Sequence, residues 1–136
     1  MNIAAIIVNY RTAALTVDCL ESLEPVARAN DRFVVELIDG GSQDDSARML
    51  SATLQQRGWQ SWVRFTSLVD NKGFAGANNV GIAAALARSN RPDAIWLLNP
   101  DTVVLPDAME PLIETLRTDS AVGIVGSRLQ YPDGEP

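Results

Sequence analysis

Apolar residues along the chain fall into short, near-continuous runs at Ile3 to Val8, Phe33 to Ile38, Ala94 to Leu98 and Val122 to Val125, with a looser, alternating run at Val63 to Val69. Continuous runs of this length predict strands covered on both faces, and the alternating one predicts a strand nearer a sheet edge. Between the runs the spacing changes to that of helices. The first helix is predicted from about Thr12 as N-cap, with Leu15, Cys19 and Leu23 on one face and a disturbance at Pro25. The second follows Ser42, carries Ala47, Leu50 and Leu54, and stops at Gly58. The third begins near Gly76 with Val80, Ala83, Ala84 and Ala87 on its inner face, and the fourth runs from Pro106 and Asp107 to about Arg117.

Strand and helix alternating four times, closed by a fifth strand, predict right-handed crossovers. The expected fold class is therefore α/β: a Rossmann-like, doubly wound, mostly parallel sheet with helices on both faces. The 136 residues are a common size for one domain, expected over 1–136, and the expected core needs no disulfide or metal staple. In such a fold, ligands bind outside the carboxyl ends of the strands. Those ends are polar and glycine-rich: Asn9-Tyr10-Arg11-Thr12 after the first, Asp39-Gly40-Gly41-Ser42 after the second, Asp70 to Asn79 after the third and Asn99-Pro100-Asp101 after the fourth. Each is ordinary turn chemistry taken singly. Four such loops on one edge predict a binding cleft, with Ser42 free to cap the second helix and Asp39 free to accept hydrogen bonds from a ligand.

Composition narrows the chemistry. Cys19 is the only cysteine and there is no histidine, so disulfides, thiolate or imidazole metal sites and Ser-His or Cys-His nucleophiles are excluded within the chain. A net charge of -6 with no basic block argues against nucleic acid. The amino-terminal apolar run is too short to span a membrane, and no transmembrane segment is expected, which predicts a cytosolic protein. A dinucleotide fold of the dehydrogenase type requires glycines after the first strand, where this chain has Asn9-Tyr10-Arg11-Thr12. The glycines Gly73, Gly76 and Gly81 lack the Lys-Ser or Lys-Thr of a P-loop. An acidic edge that is to hold a nucleoside diphosphate needs a divalent cation between carboxylate and phosphate, and Asp101 is the candidate carboxylate.

Four segments in order, "IIVNY" at Ile6 to Tyr10, "IDGGSQDDS" at Ile38 to Ser46, "NKGFAGANNVG" at Asn71 to Gly81 and "LLNPDTVV" at Leu97 to Val104, resemble the motifs of family 2 glycosyltransferases of GT-A fold, nearest the rhamnosyltransferase-like branch. The resemblance implies binding of a UDP- or dTDP-linked sugar through Mg²⁺ or Mn²⁺, for inverting transfer to a hydroxyl of a glycan or lipid-linked acceptor. The setting it implies is cell-surface polysaccharide assembly at the inner face of the membrane. Residue by residue, it implies nucleotide contacts from Val8, Asn9, Tyr10, Arg11, Asp39, Asn71, Gly73 and Phe74. Donor-sugar contacts fall to Gly76, Asn78, Asn79 and Asn99, and Asp101 matches the metal-binding aspartate of the DXD motif.

Two departures stand out. Gly40 occupies a position where the family more often has Asn, which loosens the backbone there. No acceptor-activating base is recognisable, since Asp107, Glu110 and Glu114 read as solvated helix residues, so the base is expected beyond residue 136 and the chain as the amino-terminal portion of a longer enzyme. The sequence "SRLQYPDGEP" reads as the start of a hairpin turning at Pro132-Asp133-Gly134. A non-catalytic nucleotide-binding or assembly domain is the alternative. A nucleotidyltransferase-like enzyme is a minor one, because its basic glycine-rich loop is represented here only by Arg11.

Overall fold

The computed structural model describes residues 1–131. Four strands alternate with helices: β1 (Ile3–Asn9), α1 (Ala13–Ala29), β2 (Phe33–Asp39), α2 (Ser46–Arg57), a 3-10 turn (Trp59–Ser61), β3 (Val63–Ser67), α3 (Gly73–Leu86), β4 (Ala94–Leu98) and α4 (Met109–Thr118). The sheet is all-parallel in the order β3-β2-β1-β4, so the alternating third run does form an edge strand.

Chain direction explains the layers. The connections through α1 and α2 both step from β1 towards β3, whereas the one through α3 steps back across the sheet to β4. Right-handed crossovers then place α1 and α2 on one face and α3 on the other, the doubly wound arrangement. The point where strand order reverses lies between β1 and β4.

The central strands are the most buried part of the chain. Ala4, Ala5, Ile6, Ile7, Val35, Leu37 and Ile38 have no accessible surface. On the α3 face, Ala4 and Ile6 pack with Ala85, and Val34, Ile82 and Ile95 close the cluster. Gly81 allows this approach: a Cβ there would lie 2.6 Å from Ile6 Cγ2 and 3.3 Å from Ile38 Cγ1. Burying the valine, leucine and isoleucine side chains among them, at roughly 1.5–3 kcal/mol each, is the main driving force for the sheet.

Several expected details differ. Val122–Val125 forms no strand: "VGIVG" is irregular and Ile124 is 92% exposed. Gly123 within the run and Gly126 just after it weaken it, and it has no partner strand among the described residues. β3 stops at Ser67, leaving Val69 on the loop and 85% exposed. α1 passes through Pro25 to Ala29, because the proline ring lies on the solvent face while Leu23 and Val26 on either side are buried. α1 seats Ala13, Thr16, Cys19, Leu20, Leu23 and Val26, leaving Leu15 47% exposed. α3 begins at Gly73 and seats Ala77, Asn78, Gly81 and Ala85 rather than Val80, Ala83, Ala84 and Ala87. The expected hairpin turn at Pro132-Asp133-Gly134 lies outside the described residues.

The described residues group into two compact units, 1–104 and 105–131. The first holds the sheet with α1 to α3. The second holds α4, none of whose residues is buried. Among the described residues no helix is long and apolar enough to cross a membrane.

Candidate functional site at the carboxyl edge of the sheet

The loops after β1 and β2 are joined by a buried polar network. Asn9 ends β1 with no accessible surface. Its Oδ1 accepts from Thr12 N at 3.2 Å and lies 3.3 Å from Thr12 Oγ1 and 3.0 Å from Thr16 Oγ1. Its Nδ2 donates to Asp39 Oδ1 at 2.7 Å and to Ser42 Oγ at 3.3 Å. Asn9 thus fixes the first turn of α1 to the end of β2, and Thr12 is held by Asn9 rather than acting as a side-chain cap.

Asp39, at the end of β2, is 2% exposed. Oδ1 also accepts from Ser42 Oγ at 2.6 Å, while Oδ2 accepts from Ser42 N at 3.2 Å and Ser67 Oγ at 3.4 Å. Both oxygens are therefore engaged inside the protein. Ser42 does not cap α2, which starts four residues later with Ser46 N donating to Asp44 Oδ1 at 2.8 Å.

Arg11 spans the two loops from outside. Its φ is 59°, in the left-handed region few side chains adopt. Its N donates to Ser42 Oγ and its Nε to Ser42 O, both at 3.0 Å. The guanidinium carbon stands 5.1 Å from the centroid of the Tyr10 ring, a cation–π distance. A cavity of about 420 Å³ adjoins this loop, lined by Arg11, Thr12, Asp44, Ser46 and Met49 among others. Another of about 410 Å³, lined by Asn2, Arg32, Arg88 and Asn90, lies at the opposite, amino edge of the sheet.

The third loop is locked to the second through Gly41, whose φ is 77°. A Cβ on Gly41 would sit 2.6 Å from the Asp70 carbonyl carbon and 2.8 Å from Asn71 N. Asn71 Oδ1 accepts from Gly73 N at 2.7 Å as α3 begins. Asn71, Gly73, Phe74 and Asn79 are exposed, and Val8 and Gly76 half-buried. Asn78 is 5% exposed, with its Nδ2 donating to the Phe74 carbonyl at 2.9 Å.

After β4, at the strand-order reversal, Asn99 and Asp101 are exposed. Asn99 O lies 3.7 Å from Cys19 Sγ on α1, and Val104 N donates to Ser22 Oγ at 2.9 Å, which ties this segment along α1. Burial, reinforced by the negative charge of Asp101, pushes the Cys19 thiol up to about 12, so it is an inert packing group. The Asp101 carboxylate makes no hydrogen bond or ion pair with any described residue. No group of three or more acidic or thiol side chains gathers into a cage among the described residues. One free carboxylate suits Mg²⁺ or Mn²⁺, hard cations that take one or two protein carboxylates and fill their shell with phosphate oxygens and water.

Of the residues singled out from sequence, Tyr10, Arg11, Asn71, Gly73, Phe74, Asn79, Asn99 and Asp101 lie open on one sheet edge. Asn9, Asp39 and Asn78 lie beneath it. Sequence reasoning missed the roles of Ser42 and Thr16 in the network. The available signal was spacing: Ser42 follows Asp39 by three residues in a glycine turn, and Thr16 follows Thr12 by one helical turn.

Solved structures share this architecture. A mannosyltransferase from Pyrobaculum calidifontis, in complex with GDP-Man and Mn²⁺, superimposes with a TM-score of 0.77 at 17% identity, over 90% of this chain and 34% of that one. S. aureus TarS 1-349, in complex with UDP-GlcNAc, gives 0.62 at 15% identity, over 86% and 31%. At such identities the likeness is one of fold, and the chain spans about a third of the length of these two solved chains. No curated protein matches it by sequence. The family model for glycosyl transferase family 2 matches residues 4–136, and the chain belongs to that family.

Proposed function

We propose that this chain is the donor-binding part of a metal-dependent glycosyltransferase that takes a UDP- or dTDP-linked sugar and transfers it, with inversion, to a hydroxyl of a glycan or lipid-linked acceptor. The observation that carries the reading is the free, exposed Asp101 carboxylate directly after β4, at the strand-order reversal beside β1. Support comes from family membership and from fold neighbours solved in complex with nucleotide sugars, one of them with Mn²⁺.

Tyr10 and Arg11 would meet the nucleotide on one side of the cleft, with Asn71, Gly73 and Phe74 on the other, and Asn79 and Asn99 nearer the sugar. Asn9 and Asp39 would shape the pocket floor from below. Asp101 would hold Mg²⁺ or Mn²⁺, which when bound offsets the charge of the departing diphosphate. The base that deprotonates the acceptor hydroxyl belongs, on this reading, to sequence beyond residue 136. Work on a lipid-linked acceptor would place the enzyme at the cytoplasmic face of a membrane.

Titration calorimetry with UDP and dTDP, with and without Mn²⁺, tests the reading. Wild type is expected to bind with metal, and Asp101→Ala to lose on the order of a hundredfold or more of that affinity. Equal, metal-independent binding by both proteins would overturn the assignment of Asp101.

A further inference from the structure

We infer that Ser42 is a positioning residue that acts through Arg11, presetting the guanidinium for an oxygen-rich ligand before that ligand arrives. The ligand class, a nucleoside diphosphate, rests on the function proposed above; the positioning itself rests on geometry.

Ser42 is 1% exposed. Its hydroxyl is saturated: it donates to Asp39 Oδ1 at 2.6 Å and accepts from Arg11 N at 3.0 Å and Asn9 Nδ2 at 3.3 Å. One donor and two acceptor sites are all a hydroxyl has. Its backbone is used as well, with N donating to Asp39 Oδ2 at 3.2 Å and O accepting from Arg11 Nε at 3.0 Å.

The consequence falls on Arg11. A left-handed backbone is strained for a non-glycine residue, and the Ser42 hydroxyl accepts the N–H that this conformation turns towards it. With Nε also held, the plane of the guanidinium is fixed against the Tyr10 ring. The four N–H bonds on its two terminal nitrogens have no partner among the described residues. They form a planar fork of donors of the kind that pairs with phosphate or carbonyl oxygens. Arg11 and Lys72 are the only cations on the four strand-end loops of a chain with net charge -6. Holding one of them in place before binding lowers the ordering cost that association must overcome.

Two measurements decide the matter. In a double-mutant cycle read by calorimetry with UDP and Mn²⁺, Ser42→Ala should weaken binding about tenfold in the wild-type background, and by less than about twofold once Arg11 is alanine. Losses that multiply instead would mean that Ser42 acts independently of Arg11, which overturns the inference. Amide hydrogen exchange by NMR gives a readout that needs no ligand: Ser42→Ala should strip protection from the Arg11 N–H while the β1 and β2 amides keep theirs. Retained Arg11 protection, or protection lost throughout β1 and β2, would equally overturn it. Should wild type bind neither UDP nor dTDP, the nucleotide reading falls, and the exchange result still decides the role of Ser42.

Discussion

At residue scale, adjacent glycines in the second loop carry unequal demands. Gly40 has no positive φ, and a Cβ there would meet Asn9 O at 3.3 Å, a tight contact that small shifts can relieve. Gly41 combines a φ of 77° with backbone atoms of Asp70 and Asn71 closer than 3 Å to where a Cβ would stand. Backbone cannot swing aside as a side chain can. Gly41→Ala is therefore expected to cost about 2–4 kcal/mol, from left-handed strain plus the clash, and to lower Tm by on the order of 10 °C. Gly40→Ala should stay within about 1 kcal/mol of wild type. Thermal and urea unfolding of the two variants side by side would test this, and equal losses would show that loop contact, not conformation, sets the cost. "DGG" thus reads as one free and one obligatory glycine, a distinction invisible in sequence because it depends on the approach of the third loop.

At element scale, β2 carries a carboxylate into the core. Glu36, 4% exposed, faces Arg88 just beyond α3, with Arg88 Nη1 donating to Oε1 at 3.2 Å. Burial pushes its carboxyl above the ordinary range; Arg88, and more weakly Arg64 on β3, pull it back only in part. A carboxyl whose folded value exceeds its unfolded one binds its proton more tightly in the native state. Stability from this group is thus fully present below the unfolded value, about 4.3, and falls as pH rises through the folded value. Urea unfolding between pH 4 and 7 should show Glu36→Gln gaining on wild type as pH rises, and a constant gap between the two would refute the coupling. Arg88→Ala, which strands the carboxylate, should cost about 3 kcal/mol at pH 7, near the low end for a broken buried pair because Arg88 is 27% exposed.

Elements also show how far sequence pattern reaches. The four parallel strands and their helices were legible because β-branched and leucine runs alternate cleanly with helical spacing. The inner face of α3 was not: its alanines and glycines offer little contrast, and Gly81 is selected by Ile6 on β1 and Ile38 on β2. Pro25 reads in sequence as a disturbance of the helix, yet buried Leu23 and Val26 carry α1 past it. Among site residues, the edge on which Asp101, Tyr10 and Arg11 lie could be read from strand ends. That Asn9 and Asp39 are consumed by one another and by Ser42 could not, since hydrogen-bond partners follow from loop closure rather than residue type.

At the scale of the whole molecule, burial and candidate chemistry coincide in one unit. Every residue proposed to meet the donor, from Val8 to Asp101, belongs to residues 1–104, where β1 and β2 are almost fully buried. In the second unit, the ten residues of α4 include no buried position. A helix that short is marginal without tertiary burial, so its amides should open by local fluctuation. Hydrogen exchange followed by mass spectrometry on the full chain is expected to show slow exchange in β1 and β2 and near-intrinsic exchange over 109–118. Adding UDP with Mn²⁺ should then slow exchange in the segments 9–12, 40–43, 70–79 and 99–101, where the strand-end loops lie, and leave 109–118 unchanged. A ligand at a hundred times its Kd stabilises the state it binds by about 2.7 kcal/mol, enough to slow locally exchanging amides about a hundredfold. Protection appearing instead around Asn2, Arg32 and Arg88 would move the nucleotide site to the cavity at the amino edge of the sheet, against the argument from strand order.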